Sequence, residues 1–149
     1  MSDPNLSGEL SMEVVWSDDQ MIELEAFVNV GHWRGQARAY TTPPQVVSFS
    51  EALVQFTEGG SSTELVAGSD NGSGMIGLRF YRIDRAGHIA GYVRLASDGH
   101  TFDHRPEQVS RLEVEFRVEA WALCEFARKL AQIVHDKLGR ASLMIEAGG

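Results

Sequence analysis

Apolar and charged residues alternate most regularly from Arg111 to Glu119. Leu112, Val114, Phe116 and Val118 face one way, and Glu113, Glu115, Arg117 and Glu119 the other. A period of two marks a strand with one wet face. The period then changes. Leu123, Phe126, Ala127, Leu130, Ile133, Val134 and Leu138 fall on one helical stripe, with Glu125, Arg128, Lys129, Gln132 and Asp136 opposite. A strand running straight into an amphipathic helix predicts a helix folded back on the dry face of a sheet. Phe116, Val114, Leu123, Phe126, Leu130 and Ile133 are expected to be buried together.

Upstream, Met12–Trp16 reads as a short strand. Met21–Val30 alternates over its whole length, with Ile22, Leu24, Ala26, Val28 and Val30 on one face. Trp33–Tyr40 is its hairpin partner after Gly31-His32, placing Trp33, Gly35, Ala37 and Ala39 inward. Small residues there leave room for something bulky. Pro43-Pro44 ends that strand. Ser48-Phe49-Ser50-Glu51 fits a capping box and starts a short helix through about Glu58, stopped by Gly59-Gly60. Ser62–Ala67, Met75–Ile83 and His88–Ala96 follow as strands, the last two joined by Asp84-Arg85-Ala86-Gly87. Ser97–Ser110 is polar and reads as a loop. The fold class is therefore α+β: a mostly antiparallel sheet of about six to seven strands, a short middle helix and a long C-terminal helix packed on one face. One domain spans residues 12–139, between a flexible N-terminus (1–11) and a flexible tail (140–149).

The chain has 149 residues and a formal net charge of −8. That length suits one domain with a core of its own. The charge argues against nucleic acid as a partner, because phosphate contacts need clustered Lys and Arg, and is compatible with a basic protein partner. The start of the chain has neither a basic region nor an apolar run, and no segment approaches membrane-spanning length. A cytoplasmic location without membrane contact is the expectation. A lone cysteine, Cys124, allows no internal disulfide and sits in the helical pattern as a buried thiol.

Candidate chemistry is sparse. Gly68–Gly74 lacks the Lys of a phosphate loop and precedes a strand, so it reads as a turn. His100 and His104 are four apart, but their flanks argue for a loop, and zinc needs three or four ligands. No metal and no cofactor is expected. Nucleophile-elbow, His-Glu-x-x-His and Cys–His signatures are missing, so no catalytic residue is nominated and a non-enzymatic role is favoured. The open face of the sheet is more informative. It carries Arg38, Tyr81, Tyr92, Arg94, Glu113 and Glu115, nominated as partner-binding residues because Arg and Tyr are enriched at protein interfaces. Cross-strand charge pairing accounts for the same residues without a partner.

Three stretches carry a resemblance: VVSFSEALVQFTEG (Val46–Gly59), GLRFYRIDRAGHIAGYVRLAS (Gly77–Ser97) and LEVEFRVEAWALCEFARKLAQIV (Leu112–Val134). In their order and pattern the chain resembles small bacterial proteins of the polymorphic (contact-dependent, wall-associated) toxin immunity type, over most of Met12–Val134. The resemblance implies a domain that binds and neutralises a cognate protein. It carries over no residue with a known role, and the Asp98–Ser110 loop has no counterpart in it. The alternative from the residues themselves is a small enzyme or ligand-binding domain with a pocket between sheet and helices.

Overall fold

In a computed structural model, which describes residues 7–99 and 105–147, the chain is α+β with an antiparallel sheet. The elements in chain order are β1 (Ser7–Ser17), β2 (Ile22–Val30), β3 (Trp33–Thr41), α1 (Pro43–Thr57), β4 (Thr63–Gly68), β5 (Ser73–Arg82), β6 (Ile89–Asp98), β7 (Arg111–Val118), α2 (Ala120–Asp136) and β8 (Arg140–Ala147). A single 3-10 turn, Pro106–Gln108, precedes β7. Among the described residues the sheet has eight strands rather than six or seven, in the order β3-β2-β1-β8-β7-β6-β5-β4.

The additional strand is β8. Residues expected to form a flexible tail lie between β1 and β7 in the middle of the sheet, with Ala141, Leu143 and Ile145 turned into the core. The N-terminal segment is also more ordered than expected, since β1 begins at Ser7 and pairs with both β2 and β8. Among the described residues β7 and β8 pair through Phe116–Ala147 and Arg117–Glu146.

Strong curvature turns this sheet into an enclosure. β3 stands at one end of the strand order, yet a Cβ on its Gly35 would lie 2.5 Å from Leu112 Cδ2 of β7 and 3.4 Å from Leu95 Cδ1 of β6. The room left by the small residues of β3 is thus filled by two leucines from the far half of the sheet. Trp33, expected inward, is instead 64% exposed; Thr41 is buried at the other end of the strand. The inner face and both helices share one core, which includes Phe49, Phe56, Phe80, Phe116 and Phe126. Gly91 lies opposite Phe80 on β5 and Phe116 on β7, and their rings meet edge to face over it at 6.0 Å.

Both helices pack on the inner face and on each other. α1 starts at Pro43, five residues before the expected Ser48. Proline at the first helical positions costs nothing, because the N–H it lacks has no partner in that turn. The Thr42 N–H points to Gln45 Oε1 at 3.4 Å. At the other end Arg82 donates to the carbonyls of Phe56 (2.5 Å) and Gly60 (3.0 Å) and lies over the Phe56 ring, placing a cation at the negative helix end. α2 buries Leu123, Phe126, Ala127, Leu130, Ile133 and Val134 as expected, and Cys124 is half-buried. The helix stops two residues short of Leu138. Lys137 takes the left-handed conformation (φ 56°), and the Leu138 N–H donates to the Ile133 carbonyl at 3.0 Å. Leu138 therefore leaves the apolar stripe and is 73% exposed. No helix among the described residues is long and apolar enough to cross a membrane.

Candidate functional site

The outward side chains of β5, β6 and β7 form one interlocked plate. Register places Arg79 beside Tyr92, Tyr81 beside Ala90, Tyr92 beside Glu115 and Arg94 beside Glu113. Because Ala90 is small, Tyr81 reaches across β6 and its hydroxyl donates to Glu115 Oε2 at 2.5 Å. The Tyr92 hydroxyl donates diagonally to Glu113 Oε2 at 3.1 Å. The Arg79 guanidinium lies over both phenol rings, 4.9 Å from Tyr81 and 5.7 Å from Tyr92. Arg94 pairs across β5 with Glu64 of β4 at 3.8 Å, above Gly77, which leaves the space.

Five of the six nominated residues thus share one face: Tyr81, Tyr92, Arg94, Glu113 and Glu115. Arg38 stands apart. It lies on β3, at the other end of the strand order, and pairs with Glu25 of β2 at 2.6 Å. Hydrogen bonding by Arg38 holds the Glu25 carboxyl below the usual range. The partnership that sequence reasoning missed is that of Arg79, a residue of the same face with no role assigned from the sequence.

Burial, and then the Glu115 carboxylate that its hydroxyl donates to, push the Tyr81 phenol up from 10.0 to about 12. Tyr92 moves in the same direction, again by burial first and Glu113 second. The fold therefore favours the neutral phenols. The contribution of Tyr81 to stability is fully present below the unfolded pKa and is lost as pH rises from 10.0 towards about 12. An ultraviolet titration of the chain's three tyrosines should show one late component. Tyr81→Phe should abolish it and Glu115→Gln should bring it down. A single step near the free-phenol value in the parent would refute the arrangement.

A second feature lies outside the sheet–helix interior, which is filled by core side chains. A cavity of about 440 Å³ opens where β7 enters α2, beside the β5–β6 turn and the end of β8. Trp121 (67% exposed) and Met144 (63%) form its apolar rim, with Arg117, Glu119, Glu146 and His88 around it. His88 Nδ1 is 2.6 Å from Asp84 Oδ2, and this bond holds the Asp84 carboxyl low. Neither Trp121 nor Met144 is among the residues nominated from the sequence. The signal for Trp121 is its position: it falls on the polar side of α2 with Glu125 and Arg128 rather than on the apolar stripe. Among the described residues no group of three or more His, Cys, Asp or Glu is placed to hold a metal. The His100–His104 pair lies outside the described residues. No protein-family model, curated protein or solved structure matches the chain.

Proposed function

We propose that the chain is a small acidic protein-binding domain, of the immunity type it resembles, that holds a basic partner against the outer face of β5, β6 and β7. One observation carries this reading: the Arg79–Tyr81–Tyr92–Glu113–Glu115 plate is ordered by its own contacts before any partner arrives. Side chains already fixed lose less entropy on binding. Tyr and Arg supply broad contact area, and the two carboxylates offer acceptors to cationic groups. A net charge of −8 speeds encounter with a basic protein.

Alanine variants of Tyr81, Tyr92 and Arg94 should each weaken a captured basic partner by about 2 kcal/mol or more. Their melts should change little, since these side chains lie on the outside of the sheet. Glu113→Ala and Glu115→Ala should mainly slow association and flatten its salt dependence. Arg38→Ala, whose side chain pairs with Glu25 of β2 instead, is expected to bind like the parent. Parent-like binding by all the face variants would remove this reading. The alternative, a ligand-binding or catalytic role, is favoured by the cavity beside Trp121. It would gain if Trp121→Ala alone abolished binding of a small molecule.

A further inference from the structure

The two ends of the sheet are treated differently. At the β3 end the sheet's curvature crowds β5 against the strand, with no backbone hydrogen bond between the two among the described residues. Gly74 of β5 sits so tightly against the Arg38 carbonyl of β3 that a Cβ there would lie 2.1 Å from the oxygen. At the other end, β4 pairs with β5 alone. Its last residue, Gly68, comes up against Ala39 of β3. From Thr63 to Ala67, no backbone hydrogen bond among the described residues is made on the side away from β5. A groove of about 460 Å³ runs along this open stretch, walled by the first two turns of α1 through Pro44, Gln45, Ser48 and Phe49.

An open edge exposes a row of amide N–H and carbonyl groups that only another extended backbone satisfies in full. Proteins that keep such edges free of partners blunt them with charged side chains, lysine above all, with proline, a bulge or extreme shortness, or cover them with a helix or loop. Thr63–Gly68 has no lysine or proline, pairs with β5 without a register shift, and leaves Val66 43% exposed. Its one charged residue is Glu64, which Arg94 approaches only at 3.8 Å.

We propose that β4 is a strand-addition site. An extended, basic segment of a partner protein pairs its main chain with β4 and lays alternate side chains into the groove beside α1. The sign of the occupant follows from charge. A second copy of the chain would bring another −8 and another Glu64 to the same edge, whereas a basic segment meets Glu64 and the acidic whole favourably. Main-chain pairing supplies affinity, and the groove beside Phe49 supplies selectivity for the side chain that enters it. This inference deepens the protein-binding reading but uses a different surface, so the two fail separately.

The probe is a synthetic peptide of alternating lysine and valine, compared with the same peptide N-methylated at alternate amides. Methylation keeps charge and side chains but removes the donors of one edge. The unmodified peptide should slow hydrogen exchange at β4 amides, above all within Thr63–Ala67, and the methylated one should bind roughly tenfold more weakly or worse. Val66→Lys, a surface change that leaves the core intact, should weaken the unmodified peptide to a similar degree without altering the melt. Tyr81→Ala should leave this binding unchanged. Equal binding of the two peptides would mean charge attraction alone and overturn the proposal. So would absence of β4 protection at millimolar peptide, or β4 amides as slow as those of β6 in the free protein. Protection mapped to β5–β7 and lost in Tyr81→Ala would overturn the edge proposal while supporting the face. A dimer by sedimentation, with β4 protected without peptide, would assign the edge to a second copy instead.

Discussion

Replacing Phe126 with alanine is expected to cost roughly 3–5 kcal/mol of folding stability, the range for emptying a buried phenylalanine site. Phe126 is 1% exposed and belongs to the core cluster that takes in both helices and the inner face of the curved sheet. Its loss leaves a void that strands on one side and α1 on the other cannot both close, because the strands are held in register by their ladders. A small domain holds only about 5–15 kcal/mol in total, so the variant should sit near the edge of folding. A denaturant melt should show the midpoint falling with the slope unchanged. Trp121 on the same helix is the control. It is larger but 67% exposed, so Trp121→Ala should shift stability by no more than about 0.5 kcal/mol. If the two variants melted alike, the buried face of α2 would be wrongly assigned.

That face was legible because burial on α2 obeys one period over 17 residues. The strands β2 and β7 were legible for the same reason at period two. Three features resisted reading, each for a physical cause. The start of α1 was hidden because Pro43-Pro44 ends β3 and also opens the helix, and the second role is visible only once the first turn is known. Strand β8 alternates correctly, with Ala141, Leu143 and Ile145 inward and Ser142, Met144 and Glu146 outward. Its place between β1 and β7 depends on pairing with Ser7–Glu13, more than a hundred residues earlier, and no local signal announces a pairing so remote. The curvature that sets β3 over Leu95 and Leu112 is likewise a long-range result, hinted at only by the small residues of β3.

The candidate face divided along the same line. Tyr81, Tyr92 and Arg94 lie on β5 and β6, whose short turn sets the register, and Glu113 and Glu115 lie on the strand whose inward alternation admits only one facing. Local pattern was enough to bring these five together. Arg38 also points outward, but strand order gives it β2 as its ladder neighbour, and its side chain pairs there with Glu25. Trp121 and Met144 became a common rim only because β8 follows α2 back into the sheet.

Gly91→Ala is expected to destabilise the fold by about 1–3 kcal/mol, the usual cost of overpacking a filled core. The sign is the informative part. Gly91 has no positive φ, so its backbone accepts alanine, and fewer unfolded conformations would by themselves stabilise the variant by about 0.4–1 kcal/mol. The rings decide otherwise. A Cβ at Gly91 would lie 2.3 Å from Phe116 Cζ, 2.4 Å from Phe116 Cε2 and 2.8 Å from Phe80 Cε1. Both rings are fully buried and have no free space to retreat into. Phe116→Leu shortens one of them and should destabilise on its own by leaving a gap above the glycine. In the double variant, the methyl group added by Gly91→Ala occupies part of that gap, and the shortened side chain no longer collides with it. The double variant should therefore be more stable than the two single costs added together, by about 0.5–3 kcal/mol. Strict additivity in the same denaturant melts would mean that the Phe116 ring is not what reserves this strand position for glycine.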